Sequence, residues 1–209
     1  MTRPLRHAII VCHPSEHSFT MAVAERYAAA LGSNGEQSFV RDLYRTGFDP
    51  ALREEERQGK PGDDALAELD LLRDADVIVL VYPIWFGTPP AMLKGYVDRV
   101  FGAGRAFGRD PDGAETDLLH GKHLVSLTLS GSTSAWLHEK GVLMSLRNLF
   151  ARYLAEVFGL PESHSYHFDG ITPDMSEKDA RFHLAAVDDA AKTTLARIRH
   201  EWQKEPPRG

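Results

Sequence analysis

The stretch VIVLVYPIWFGTPPAMLKGYVDRVF, Val77–Phe101, decides the fold. Val77–Tyr82 is apolar at every position and mostly β-branched, as a central parallel strand buried on both faces should be. Pro83 fixes its own φ and withholds an N–H, so it interrupts the strand. Pro89 and Pro90 suit the first turn of a helix, and Ala91–Phe101 follows with Leu93, Val97, Val100 and Phe101 facing inward. A buried strand feeding a helix through a short turn is half of a parallel crossover unit.

The same alternation runs outward in both directions. Strands are expected at His7–Cys12, Gln37–Tyr44, Leu124–Leu129 and Ser165–Phe168. Helices are expected at Met21–Leu31 (Val23, Tyr27, Ala28 and Leu31 on one face), Ala65–Leu72, Gly141–Phe158 and Glu177–Trp202. In Gly141–Phe158 the inward set reads Leu143, Leu146, Leu149, Phe150, Tyr153, Leu154 and Val157. Phe48–Asp64 reads as a polar loop. Strands alternating with helices imply an α/β protein: a doubly wound, five-stranded parallel sheet with helices on both faces. No internal repeat is visible, so residues 1–204 are expected to form one domain, with 205–209 a disordered tail.

Composition bounds the function. Among 209 residues, 43% are hydrophobic and 26% charged, with a net charge of −6. That balance, with no basic run, argues against nucleic acid. The longest apolar run, Val77–Trp85, is too short to cross a bilayer, and the N-terminus lacks the apolar core of a signal peptide. The single cysteine, Cys12, precludes an internal disulfide and fits a reducing cytoplasm; in a buried strand it reads as small apolar filler.

In open parallel sheets, ligands gather at the carboxyl ends of the strands, where strand order reverses. Strand ends here carry unusual loops: HPSEHSFT from His13, YPIWFGTPP from Tyr82 and TLSGSTSAW from Thr128. In the first loop, Ser18 and Thr20 are helix-capping types, and a helix N-terminus can hold a phosphate without Lys or Arg. Simple capping by Ser18 is the alternative. The second loop is stiffened by Pro83, Pro89 and Pro90, while Gly87 permits a backbone closed to other residues. Backbone N–H groups at Ile84–Gly87 would then be free, and Trp85 and Phe86 would offer flat apolar faces. Such a turn suits a flat heteroaromatic ring with polar edges, such as flavin. Core filling beneath the loop, or a subunit contact, would equally explain two aromatics. In the third loop Thr128, Ser130 and Gly131 are small enough to bring backbone against a ring edge, as they would be in any turn.

On these residues the chain resembles the flavodoxin-like NAD(P)H:quinone oxidoreductases, the group that includes DT-diaphorase. The matching pieces are His13 to Phe19 (HPSEHSF), Asp42-Leu43-Tyr44 with Phe48-Asp49-Pro50, Pro83 to Phe101, and Ser126 to Gly131. Ile171–Phe182 resembles the family's turn into its last helix. Pro83–Phe101 is the specific piece. The resemblance implies that His13, Ser18 and Phe19, with Thr20, hold a phosphate-bearing tail. It implies that Pro83, Ile84, Trp85 and Phe86 line an isoalloxazine, beside Gly87, and that Thr128, Leu129, Ser130 and Gly131 meet its pyrimidine edge. Phe107 stands near an aromatic of the substrate pocket. The implied cofactor is FAD, with FMN the alternative. NAD(P)H is the implied co-substrate, a quinone or similar small molecule the acceptor, and a homodimer with the site at its interface the assembly, cycling by a ping-pong route.

Departures from the family pattern concern proton handling. Its catalytic Tyr aligns with Trp136, which cannot ionise and which would then line the substrate pocket. The following His has no counterpart in register; His138 lies two residues after Trp136 and is the remaining candidate catalytic group. Gly102–Gly108 (GAGRAFG) misses the dinucleotide-binding spacing and follows a helix, so it reads as a loop. His164 and His167 lack further metal-ligand types at useful spacing. Lys192, Arg197, Arg199 and Lys204 read as a solvated helix face. An FMN-dependent azo- or nitro-reductase and a redox-sensing regulatory subunit of an ion-efflux system are the competing functions.

Overall fold

The computed structural model describes residues 3–103, 118–161 and 164–204. Strands β1 (Arg6–Val11), β2 (Gln37–Asp42), β3 (Val77–Pro83), β4 (His123–Leu129) and β5 (His164–Phe168) form one all-parallel sheet in the order β2-β1-β3-β4-β5. The order reverses between β1 and β3, which places a crevice at their carboxyl ends.

Alternation along the strands builds two cores. Ala8, Ile10, Ile78, Leu80, Tyr82 and Leu124 face helix α3 (Asp63–Arg73) and the segments α4 (Ala91–Tyr96) and Val97–Phe101. Ile9, Val11, Val77, Val79, Val81, Val125, Leu127 and Leu129 face α1 (Phe19–Ser33) and α8 (Glu177–Lys204). Every residue of β3 is buried, as its unbroken apolar run requires. Cys12 is a fully buried member of the first core, and burial pushes its thiol up to about 12.

Ala91–Phe101 is not one regular helix: α4 passes into a π-helical turn at Val97–Phe101. Residues 48–64, expected as loop, contain a short helix α2 (Glu54–Arg57). That segment docks on α4 where a side chain would not fit: a Cβ on Gly95 would stand 2.2 Å from the Pro50 carbonyl oxygen. The Phe48 ring then packs edge-on against Tyr96, with centroids 5.2 Å apart. Arg99, fully buried, binds Glu56 at 2.6 Å and Asp64 at 2.7 Å, and also donates to the Asp49 carbonyl.

The expected helix Gly141–Phe158 is also divided. A preceding helix α5 (Ser134–Glu139) ends at Gly141, whose φ of 68° starts a new direction. Then come α6 (Val142–Leu146), a π-helical segment Arg147–Arg152 and α7 (Tyr153–Val157). Leu146, Phe150 and Leu154 face the core as expected. Leu149 (77% exposed), Tyr153 (58%) and Val157 (42%) do not: each sits one residue before a buried partner, about 100° away, and faces out. Seven apolar positions over this span make two stripes rather than one. The basic face on α8 is likewise partly engaged: Arg199 pairs with the buried Glu36 carboxylate, and Arg197 reaches His164 Nδ1 at 3.3 Å.

Candidate flavin-binding site

Loops after β1, β3 and β4 meet at the carboxyl edge of the sheet, and contacts between them are direct. The Ile84 N–H donates to the Leu129 carbonyl at 2.7 Å, joining the second loop to the third. The His13 ring lies 6.0 Å from Trp85, centroid to centroid, joining the first to the second. Arg45 donates to the Pro14 carbonyl and holds the first loop from the β2 side.

The aromatic turn has a specific conformation. Trp85 and Thr88 exchange backbone hydrogen bonds at 3.0 Å in both directions. Between them Phe86 has φ 51° and Gly87 φ 80°. Positive φ at both central positions is the pattern of a type I′ turn, where Asn-Gly is the usual pair. A bulky residue there is strained. The turn spends that strain on display, since Phe86 is 107% exposed relative to a free residue, and Trp85 is 38% exposed. Neither aromatic fills the core. The expectation of free amides along Ile84–Gly87 needs correcting: the Ile84 and Trp85 amides are consumed, and only those of Phe86 and Gly87 have no hydrogen-bond partner among the described residues. Pro83 is buried and belongs to β3, paired with Leu129, rather than interrupting it.

In the first loop Ser18 caps α1, its hydroxyl accepting from the Met21 N–H at 3.1 Å. The Phe19 and Thr20 amides stay open at the helix start. Phe19's ring packs against the second core and the edge of His183, and Thr20 is buried, so these residues offer backbone more than side chain. His13 is partly exposed and turns Nδ1 to the Ser15 N–H at 3.0 Å.

The third loop is tightly bound from behind. The Ser130 N–H donates to the Phe168 carbonyl, and the Ile171 N–H to the Ser130 carbonyl. Thr128 and Ser130 are buried, and both hydroxyls contact His167 on β5. Gly131 is exposed, and a Cβ there would meet the Ile171 carbonyl only at 3.5 Å, leaving an open approach to its backbone.

The residues proposed for proton handling stand apart. Trp136 lies in α5, a helix that the sequence reading missed, and is half exposed; Thr133 caps that helix and Asp169 accepts from the Ser134 N–H at 2.5 Å. His138 is exposed and lines a groove with Met144, Arg147 and Arg152 along α6 and α7. Phe107 lies outside the described residues, as does most of Gly102–Gly108. Sequence reasoning weighed His167 only as a metal ligand, with His164, and gave it no part in this site.

A rigid rim of exposed aromatics and unclaimed amides, facing a capped helix start and a close-approach loop, fits a planar ring carrying a phosphorylated tail. The fold and this site define a flavodoxin-like protein. A model of the flavodoxin-like fold family matches residues 6–193, and the chain belongs to that family. It is 35% identical over 199 residues to an uncharacterized NAD(P)H oxidoreductase of Haemophilus influenzae, covering 93% of this chain and 96% of that one. It is 31% identical over 153 residues to NAD(P)H dehydrogenase [quinone] 1 of Cavia porcellus, covering 63% of this chain and 55% of that protein. Among solved structures, the NAD(P)H:quinone oxidoreductase from Methanothermobacter marburgensis superposes with a TM-score of 0.80 at 25% identity, over 92% of this chain and 98% of that one.

Proposed function

We propose that this chain is a flavoenzyme passing a hydride from NAD(P)H to a quinone or similar small acceptor, the two substrates exchanging at one site. The observation that carries the reading is Phe86: an unburied aromatic, held at positive φ beside unclaimed amides, makes sense as one wall for a flat ligand. The names of the relatives support the reaction class.

A bound flavin would supply a hydride acceptor and donor at its N5. The chain's part is positioning. The Phe86 and Gly87 amides would donate to the ring's polar edge while Trp85 and Phe86 cover its face, with Pro83 and Ile84 behind them. Thr128, Leu129, Ser130 and Gly131 would bring backbone to the pyrimidine edge. The open amides at the start of α1, with Ser18 and His13 beside them, would hold the phosphate-bearing tail, with FAD the proposed cofactor. Trp136, unable to donate a proton to the ring, would form an aromatic wall of the acceptor pocket, with Phe107. His138, on the adjoining groove, would exchange protons with solvent.

The outward stripe of Met144, Leu149, Tyr153 and Val157 is the proposed homodimer surface, on the segments that follow the helix bearing Trp136, and the partner would close the site. Residues 1–204 would act as one domain in the cytoplasm, where the inert buried thiol of Cys12 is compatible with reducing conditions. Among the described residues, no helix is long and apolar enough to cross a membrane. Anaerobic stopped-flow reduction by NADH and by NADPH, followed by a panel of quinones, azo dyes and nitroaromatics, tests the reading. Rapid bleaching of flavin absorbance and reoxidation by quinones is expected. Bleaching by neither nicotinamide would overturn it, and preference for azo dyes would move the protein to the azoreductases.

A further inference from the structure

Behind the Leu129–Gly131 loop, His167 joins two hydroxyls that each lie within hydrogen-bond distance of a backbone carbonyl as well. Its Nδ1 lies 2.9 Å from Thr128 Oγ1, which donates to the Tyr166 carbonyl at 3.1 Å. Its Nε2 lies 3.0 Å from Ser130 Oγ, which donates to the Ser132 carbonyl at 2.8 Å. A hydroxyl has one proton and a carbonyl can only accept. With both hydroxyls turned to carbonyls, both ring nitrogens must donate, and only an imidazolium satisfies all four contacts. A neutral ring satisfies three: Thr128 or Ser130 must swing its proton to the bare nitrogen and leave its carbonyl.

The surroundings act in both directions. Burial lowers the His167 pKa, His138 lowers it further, and Asp169 raises it. From the other packed elements, Arg147, Tyr82 and Ser165 line the same space. That space is a cavity of about 160 Å³ lined also by Ser126, Thr128 and Leu146. It has room for a few waters at about 30 Å³ each in the liquid. Ser126 Oγ is buried against it without a partner of hydrogen-bond geometry, although the Tyr82 hydroxyl approaches. An internal water would satisfy it and lead protons to the imidazole.

We propose that His167 is a positioning residue that takes up a solvent proton when negative charge is delivered to the ligand held at Leu129–Gly131, locking the Ser130 and Thr128 hydroxyls onto their carbonyls. This rests on the flavin reading above. Hydride delivered to N5 adds two electrons and one proton, leaving one excess negative charge, which a solvent proton on the imidazole offsets across Ser130. No covalent bond of the protein changes.

Imidazole ¹⁵N spectra of the flavin-loaded protein, recorded against pH with the flavin oxidised and then reduced by dithionite, test this. The His167 pKa is expected to rise by about one unit or more on reduction. Between the two values, the wild type should take up about one proton more per two-electron reduction than His167→Gln. Gln keeps a donor and an acceptor but does not titrate. It should therefore restore flavin occupancy and thermal stability lost in His167→Ala without restoring the extra proton. Equal His167 pKa values in the two states, or equal proton uptake by wild type and His167→Gln, would overturn the proposal while leaving flavin binding intact. Failure of the wild type to bind any flavin would overturn it together with the reading beneath it.

Discussion

The Ile84 N–H donates to the Leu129 carbonyl at 2.7 Å, tying the turn that bears Trp85 and Phe86 to the loop that bears Ser130 and Gly131. β3 and β4 are already paired through Pro83 and Leu129, and this bond extends their register one residue past the sheet. A site built this way is pre-organised: its donors are fixed before a ligand arrives, which limits the ordering cost of binding.

Replacing Phe86 should separate stability from binding. Phe86→Asn puts the preferred type I′ residue at φ 51° and removes a side chain that buries nothing. Stability is expected to rise by about 1 kcal/mol in urea denaturation, from relief of the positive-φ strain. Flavin affinity should fall about tenfold or more, as a stacked aromatic contact is lost. A stable variant that binds flavin as well as wild type would refute the ring-covering role.

Arg99 holds the segment after β2 to the π-helical turn that follows α4. Its guanidinium keeps the Glu56 and Asp64 carboxyls below the usual range, and it lies 5.2 Å over the Phe48 ring. Arg99→Met strips the Glu56 carboxylate of its counter-charge, leaving it only the Arg53 and Gly62 N–H groups, and should cost about 3–5 kcal/mol, measured by denaturation. Adding Glu56→Gln should recover part of that loss, because the uncompensated charge is what costs most.

Acid stability should reflect two histidines at the opposite edge of the sheet. Burial pushes His7 and His123 down to about 4 from an ordinary 6.5. The unfolded chain therefore binds protons at pH values where the folded chain does not. Their stabilising effect is complete above about pH 6.5 and declines as pH falls toward 4, by up to about 1.4 kcal/mol per pH unit for each. His7→Phe, which can keep the edge contact with Tyr27, should reduce the slope of stability against pH by about one proton's worth in that window. An unchanged slope would show that His7 titrates normally.

Much of the architecture was legible because strands and helices announce themselves by apolar period. β3 could be read from Val77–Tyr82 alone, and β1, β4 and β5 came within a residue of their observed starts. Local breaks were less legible. Helix α5 depends on Thr133 and on Asp169 from a distant loop, and Gly141 looked like a helix start when it is the corner between two helices. In the candidate site, the three loops could be recognised by residue type. The partition of their amides could not, because the Ile84 amide goes to Leu129 through a tertiary contact and the Trp85 amide to Thr88 in a turn that needs positive φ at Phe86. The contact of His167 with the third loop was hidden because its partners become neighbours only when β4 and β5 pair in register.

The outward stripe along residues 142–157 makes a separate prediction. Leu149→Lys with Tyr153→Lys should weaken self-association about 100-fold or more, because two large apolar side chains would become charged at a buried face. Sedimentation at micromolar concentration is expected to show a wild-type dimer and a variant monomer. A wild type that stays monomeric would show that the stripe has another use.

Flavin binding is tested most directly by titrating flavin-free protein with FAD and with FMN, followed by quenching of flavin fluorescence. Saturation at one flavin per chain, tighter for FAD and weakened in Phe86→Asn, is the result it requires. Emission that stays that of free flavin with both nucleotides, at protein concentrations well above those of the ligand, would contradict it.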